Sequence, residues 1–222
     1  PPAPARPTPT TPPVNAHAPA DGLPATRRAP PDMWGARLPA GDPQKLAKIL
    51  FCYDNPPGTR YISGPPDAIG IVMPGLNIAH YNGEYRPERI ETIHDELVLQ
   101  FIERSLYLVP LGPRGREYDV LSETRIDAAG AKALADAALG CWSALLNRDI
   151  WGFGRCFKDS FHAQVAMFPL MMNEAVAEMI EQYKDRALGW KLSGAGGGGY
   201  LILVADQPIP DAICIIIRRK SD

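Results

Sequence analysis

Leu192-Ser193-Gly194-Ala195-Gly196-Gly197-Gly198-Gly199-Tyr200 is the stretch on which the reading of this chain turns. Five of the seven residues from Ser193 to Gly199 are glycine, and each costs conformational entropy on ordering. Such a run persists where the backbone must take positive φ or come very close to something. Its consecutive N–H groups can also cradle an anion. The other reading is a tight hairpin with a loose tip, or a low-complexity linker. A hairpin needs only one or two glycines. A linker would not be flanked by Gly189-Trp190-Lys191-Leu192 and Tyr200-Leu201-Ile202-Leu203-Val204, which both read as strands.

Beyond the loop, the pattern predicts a strand over Tyr200 to Ala205, a turn at Pro208 to Asp211 and a last strand over Ile213 to Arg218. The apolar run Ala212 to Ile217 reads as buried. Ahead of the loop, three helices are expected. Asp127 to Asn147 is Ala-rich and amphipathic, Asp149 to Met167 carries Phe153, Cys156, Phe157, Phe161 and Val165 on one stripe, and Asn173 caps a helix to Lys184. Glu96 to Arg104 has helical spacing, and Ser105 to Leu111 is a strand ended by Leu111-Gly112-Pro113. Ile78 to Tyr81 and Ile90 to Thr92 pair as strands, with Asn82-Gly83 as the hairpin signal. Asp42-Pro43 starts a helix through Leu46 to Phe51, and Asn55-Pro56-Pro57-Gly58 breaks it. Ala68 to Met73 fits a short helix or a strand. Together these elements predict an α+β fold, with helices against one face of an antiparallel sheet.

Thirteen of the chain's 24 prolines lie between Pro1 and Pro43. Proline fixes φ and removes a backbone donor, so residues 1–41 read as an extended tail or linker. The N-terminus has no apolar segment of the signal-peptide type, and it begins without Met, as a fragment or processed product would. Hydrophobic residues make up 45% of the 222-residue chain, enough for a packed core, and charged residues 22% with a net charge of −2. That balance argues against nucleic-acid or membrane-surface binding. No apolar run approaches the roughly 20 residues of a membrane span. Cys52, Cys141, Cys156 and Cys214 form no CxxC pair, so reduced thiols and a cytoplasmic setting are expected. Neither His94, beside Asp95, nor His162, among helix residues, has a metal-ligand partner at useful spacing.

The stretch Leu192 to Tyr200 resembles the third signature motif of the GHMP kinases, the galactokinase, homoserine kinase, mevalonate kinase and phosphomevalonate kinase superfamily. The shared features are the Ala inside the glycine run, the flanking strands and the place near the C-terminus. A second stretch, Ile62-Ser63-Gly64-Pro65-Pro66-Asp67-Ala68 followed by Pro74-Gly75-Leu76-Asn77, resembles the segment of the heptose-kinase-like branch that carries the candidate base. The chain departs from that segment at Pro65-Pro66, where a polar residue is expected before the Asp. A turn-capping Asp is the alternative role at this position. Leu111-Gly112-Pro113-Arg114-Gly115-Arg116 lies where family members carry a basic turn near the substrate; the alternative is a solvated turn.

The resemblance implies a ferredoxin-like GHMP C-terminal domain over 111–222, preceded over 42–110 by a remnant of the N-terminal kinase domain. It implies phosphoryl transfer from ATP, with Mg²⁺, to a hydroxyl of a sugar or related small molecule. Asp67 is then the catalytic base, and Ser193, Gly194, Ala195, Gly196, Gly197, Gly198, Gly199 and Arg114 hold substrate and phosphate. The family's second glycine motif, roughly Pro-x-x-x-Gly-Leu-Gly-Ser-Ser, has no counterpart in the chain, which is therefore expected to be an incomplete kinase. The alternative is a truncated, non-catalytic module that binds or forms a homodimer. Asp67 and the glycine loop are expected to face one cleft.

Overall fold

The computed structural model describes residues 34, 37–58, 62, 64–113 and 118–220. The expected tail up to residue 33, Ser63, and the turn 114–117 with Arg114 lie outside them.

Asp42 caps the first helix, α1 (Pro43–Asp54): its carboxylate accepts from the Gln44 amide at 2.9 Å, and Pro43 brings no amide to leave unpaired. Pro65 and Pro66 open α2 (Pro66–Val72) in the same way, because their fixed φ is already helical. That settles the stretch from Ala68 as helix. Ala47 and Leu50 of α1 bury against Ala68, Ile69 and Val72 of α2.

Strands β1 (Leu76–His80) and β2 (Arg89–Ile93) pair antiparallel, from Leu76 opposite Ile93 to His80 opposite Arg89. Asn82-Gly83 is not a two-residue hairpin turn. The last pair is His80 with Arg89, and the Glu88 amide closes the connection on the His80 carbonyl at 2.8 Å. Within the wider loop 81–88, Asn82 makes a local turn by accepting from the Glu84 amide.

Helix α3 (Glu96–Ser105), capped by Asp95, leads directly into β3 (Leu106–Gly112). Helices α4 (Ala128–Leu146), α5 (Ile150–Met167) and α6 (Glu174–Tyr183) follow, capped by Asp127, Asp149 and Asn173. The 3₁₀ turn Pro169–Met171 joins α5 to α6. Strands β4 (Gly189–Leu192), β5 (Gly199–Val204) and β6 (Ile213–Cys214) complete an antiparallel sheet of order β4-β5-β3-β6.

Tyr107 and Val109 of β3, Leu192 of β4 and Leu201 and Leu203 of β5 pack against Phe161 of α5, Met171, and Val176 and Tyr183 of α6. Leu201 and Leu203 are fully buried, each favouring the fold by about 1.5–3 kcal/mol over exposure. A second cluster joins Val98 and Ile102 of α3, Ala144 and Leu145 of α4, Phe153 and Val204. Helix α5 reaches β4 at backbone distance. A Cβ on Gly189 would lie 2.2 Å from the Gly154 carbonyl oxygen, and one on Gly154 would lie 2.7 Å from the Leu188 Cβ. Only glycines allow this approach.

The expected strand over Ile213 to Arg218 is shorter than its pattern, and the run is not buried: Ile213 is 46% exposed and Ile216 90%. Cys214 pairs with Tyr107, so the next positions would pair with Leu106 and then with Ser105, which is already in α3. The ladder runs out of partner. The chain continues as a strap in which the Ile217 amide donates to Glu103 (2.7 Å), the Arg218 carbonyl accepts from the Gly75 amide (2.9 Å), and Arg219 pairs with Glu96 and Glu103. Hydrogen bonds from Arg219 first, and from Gln100, pull the Glu96 carboxyl down to about 2. The strap thus ties the β1–β2 hairpin to α3. No helix among the described residues is long and apolar enough to cross a membrane.

Candidate functional site

The glycine loop is a shaped turn. The Ser193 amide donates to the Tyr200 carbonyl at 2.9 Å and closes its base. Gly196 and Gly197 both hold φ near +70°, where an L side chain is strained, and the other loop glycines also have positive φ. Gly196 and Gly198 are buried, while Gly194 and Gly199 are exposed. A Cβ on Gly196 would press on Leu192, Met171 and the Tyr118 hydroxyl. The reading of a loose tip or linker therefore fails, because the loop is seated on the core.

Tyr118 is the residue that sequence reasoning missed here. Its hydroxyl donates to the Ala195 carbonyl at 2.7 Å, and its ring carbons lie 2.6 Å from where a Gly197 Cβ would stand. The close approach signalled by the glycine run is thus made, on this face, by the protein's own aromatic ring. Seventy-odd residues separate the partners, so no local pattern could have linked them. The opposite edge of the loop meets β3: after a register shift past Pro110, Gly112 pairs with Gly199. Arg114 lies outside the described residues, but the residues bracketing its segment, Gly112 and Tyr118, both touch the loop.

Lys191 was also unforeseen as a special position, although it sits in a strand whose neighbours Trp190 and Leu192 pack into the core. Its ammonium donates to Ser160 Oγ (2.8 Å) and Gln164 Oε1 (2.6 Å) of α5, both neutral. Burial pushes its pKa down to about 8. Burial likewise pushes the nearby Cys141 thiol up to about 12, with Cys156 adding to the effect. Lys191 ties the strand that carries the loop to α5. A lysine inside an apolar strand does not by itself say whether its end reaches solvent, so the sequence held no clear signal of this contact.

Asp67 lies in the first turn of α2, where a carboxylate suits the helix dipole, and it is exposed. The N-cap position is Pro65, without a side-chain cap bond. An open cleft of about 810 Å³ runs between α1 and the loop 81–88, lined by Lys45, Lys48, Phe51, Ile69, Arg86 and Glu88 among others. Pro65 and Ile69 face it from α2. Asp67, about 200° around the helix from either, points to the other side. The Pro74-Gly75-Leu76-Asn77 turn is rigid: Asn77 donates to the Pro74 and Gly75 carbonyls and accepts from Thr92 Oγ1 at 2.6 Å. Asp67 sits on α2, whose Ala68, Ile69 and Val72 pack in the α1–α2 cluster, whereas the glycine loop joins β4 and β5 of the sheet layer.

Residues 142–218 match the family model for the GHMP kinase C-terminal domain. Over these residues the chain is similar to a GHMP kinase C-terminal domain. The α+β sheet layer described above is its fold. An L-fucokinase/L-fucose-1-P guanylyltransferase of Bacteroides fragilis is 43% identical over 56 residues, 25% of this chain and 6% of that protein. A bifunctional fucokinase/GDP-fucose pyrophosphorylase of Arabidopsis thaliana is 23% identical over 172 residues, 73% of this chain and 16% of that protein. The chain therefore spans a small part of these curated relatives. Among solved structures, a D-glycero-D-manno-heptose 1-phosphate kinase from Bacteroides thetaiotaomicron superposes with TM-score 0.50 at 15% identity, over 76% of this chain and 46% of that one. A mevalonate kinase gives TM-score 0.54 at 15% identity, over 75% of this chain and 50% of that one.

Proposed function

We propose that this chain carries the acceptor side of an ATP-dependent sugar kinase, which moves a phosphoryl group to a sugar hydroxyl. The observation that carries the reading is the glycine loop, held in positive φ between β4 and β5 of a GHMP C-terminal fold. The fucokinase relatives point to a hexose as acceptor. In this reading Asp67 takes the hydroxyl proton, and Ser193 to Gly199 with Arg114 wall the sugar and the transferred phosphate. The stretch from Asp42 to Pro110 is the remnant of the N-terminal kinase domain. The setting is cytoplasmic.

ATP supplies the phosphoryl group when bound. Among the described residues no group of three or more His, Cys, Asp or Glu gathers to hold a metal, so Mg²⁺ would ride on the nucleotide phosphates. The loop amides suit an anion, but the Gly-Leu-Gly-Ser-Ser phosphate cradle has no counterpart in the chain. That absence favours a second reading, a non-catalytic binding or dimerising module.

The test is sugar-dependent ADP release from Mg-ATP, with L-fucose first among a panel of hexoses and heptose phosphates. The kinase reading expects turnover above the sugar-free rate, and a loss of about 100-fold or more in Asp67→Asn with stability nearly unchanged. No sugar-dependent turnover at any acceptor leaves the non-catalytic module standing.

A further inference from the structure

Tyr118 occupies one face of the glycine loop. The ring stands against Gly197, and the hydroxyl lies 3.3 Å from where a Gly196 Cβ would be and donates to the Ala195 carbonyl. In the ligand-wall reading the loop's backbone amides bind an anion, and Tyr118 covers the same stretch of backbone. We propose that Tyr118 is a built-in plug of the glycine loop, and that ligand entry and departure of the Tyr118 ring are one event. The inference rests on the reading of the loop as a ligand wall and adds how that wall is opened.

The segment that carries Tyr118 is built to let go. Residues 118–127, between the described end of β3 and α4, have no helix or strand. Asp119 makes a single turn, accepting from the Leu121 amide through its side chain and from Ser122 through its carbonyl. Val120 packs on the core, the Arg125 amide donates to the Met167 carbonyl at 2.8 Å, and Leu121 and Ile126 are 51% and 63% exposed. Tyr118 itself is only half-buried. Its departure breaks the hydrogen bond to the Ala195 carbonyl and lifts the ring off Gly197, while the Ser193–Tyr200 closure keeps the base of the loop in shape. Few buried contacts and irregular backbone mark a segment of low local stability, from which lids are drawn. A site that is open only part of the time loses apparent affinity in proportion to the closed fraction.

The experiment uses the full chain with ¹⁵N-glycine labelling. Mg-ATP, alone and with L-fucose, is titrated into the wild type, Tyr118→Phe and Tyr118→Ala, and the loop glycine amides are followed. The plug predicts about fivefold tighter binding in Tyr118→Phe, which loses the hydrogen bond to the Ala195 carbonyl and keeps the ring. Tyr118→Ala should gain about tenfold or more, with faster amide exchange at Gly196 and Gly197. Equal affinity in all three proteins overturns the plug and leaves the kinase reading intact. Weaker binding in Tyr118→Ala, with circular dichroism unchanged, makes Tyr118 a ligand contact and overturns the plug as well. If Tyr118→Ala unfolds, Tyr118→Phe decides alone. Binding by none of the three overturns the ligand-wall reading and the plug with it.

Discussion

In the sheet layer, Gly154, Gly189, Gly196 and Gly197 each face protein atoms where a side chain would begin; in the α1–α2 pair, Gly70 faces open space. The same residue type thus serves two ends. In the layer it lets backbones and rings approach closer than any Cβ permits, and the fold is intolerant there. In α2 it only adds freedom to the unfolded chain. Lysine divides the same way: Lys191 is held inside the layer on neutral partners, whereas Lys45 and Lys48 of α1 are exposed beside the cleft. The contrast says that the layer is tightly specified and the α1–α2 pair is not.

The severest way to break it is Gly189→Ala. The new Cβ would stand 2.2 Å from a backbone oxygen of α5, which cannot rotate away as a side chain can. Helix α5 must retreat from β4 and loosen the Phe161 and Phe153 packing. We expect a loss of about 3 kcal/mol or more, read as a lower urea midpoint with unchanged slope. A midpoint equal to that of the wild type would show that α5 moves off β4 at no cost, and the claimed tightness would be gone.

The second test uses Lys191. Its folded pKa of about 8 lies below the ordinary lysine value of 10.5. Between those values the unfolded chain holds a proton that the folded chain has lost, so stability rises with pH across the window. Cys141 acts oppositely: its thiol titrates at about 12 instead of 9.0, so from pH 9 upward the folded chain holds the extra proton and stability falls. The wild type should therefore gain stability between about pH 8 and 9 and then level off. Lys191→Met removes the gain and keeps the fall. The difference between the two proteins should change by about 2 kcal/mol from pH 8 to pH 10.5, followed by urea unfolding. A difference independent of pH would place Lys191 in a watery setting and remove the buried charge from the contrast.

These sites also show where the sequence was transparent. Two helices announced themselves through their caps, Asp42 and Asn173, because a capping carboxylate or amide acts on amides two or three residues away; Asp95, Asp127 and Asp149 cap three more, which were read from their spacing and apolar faces. The strands around the glycine loop were legible from their apolar runs. What stayed hidden depended on distant partners. The length of β6 is decided by where α3 gives way to β3, the width of the hairpin loop by the register of His80 with Arg89, and the face of Gly197 by Tyr118. For the site, the glycine run signalled a backbone that takes positive φ or is closely approached, and the structure shows both. It could not reveal that the visitor is an internal tyrosine. Lys191 was invisible for a related reason: a lysine in an apolar strand looks the same whether its end reaches solvent or, as here, Ser160 and Gln164.

The smallest effect gives the cleanest contrast with Gly189. Gly70 lies inside α2 with no neighbour within 4 Å of a Cβ and no positive φ. Alanine there meets nothing, keeps the helical backbone and reduces the freedom of the unfolded chain. Gly70→Ala should therefore stabilise the protein by about 0.5–1 kcal/mol, toward the lower figure because α2 is short and its ends fray. One methyl group then has opposite signs at two glycines of one chain, and the sign is set by what stands where the Cβ would be. Chemical denaturation of the two variants side by side measures both. Destabilisation by Gly70→Ala would mean that some part of the protein lies over that face of α2, and the α1–α2 pair would then be as closely fitted as the sheet layer.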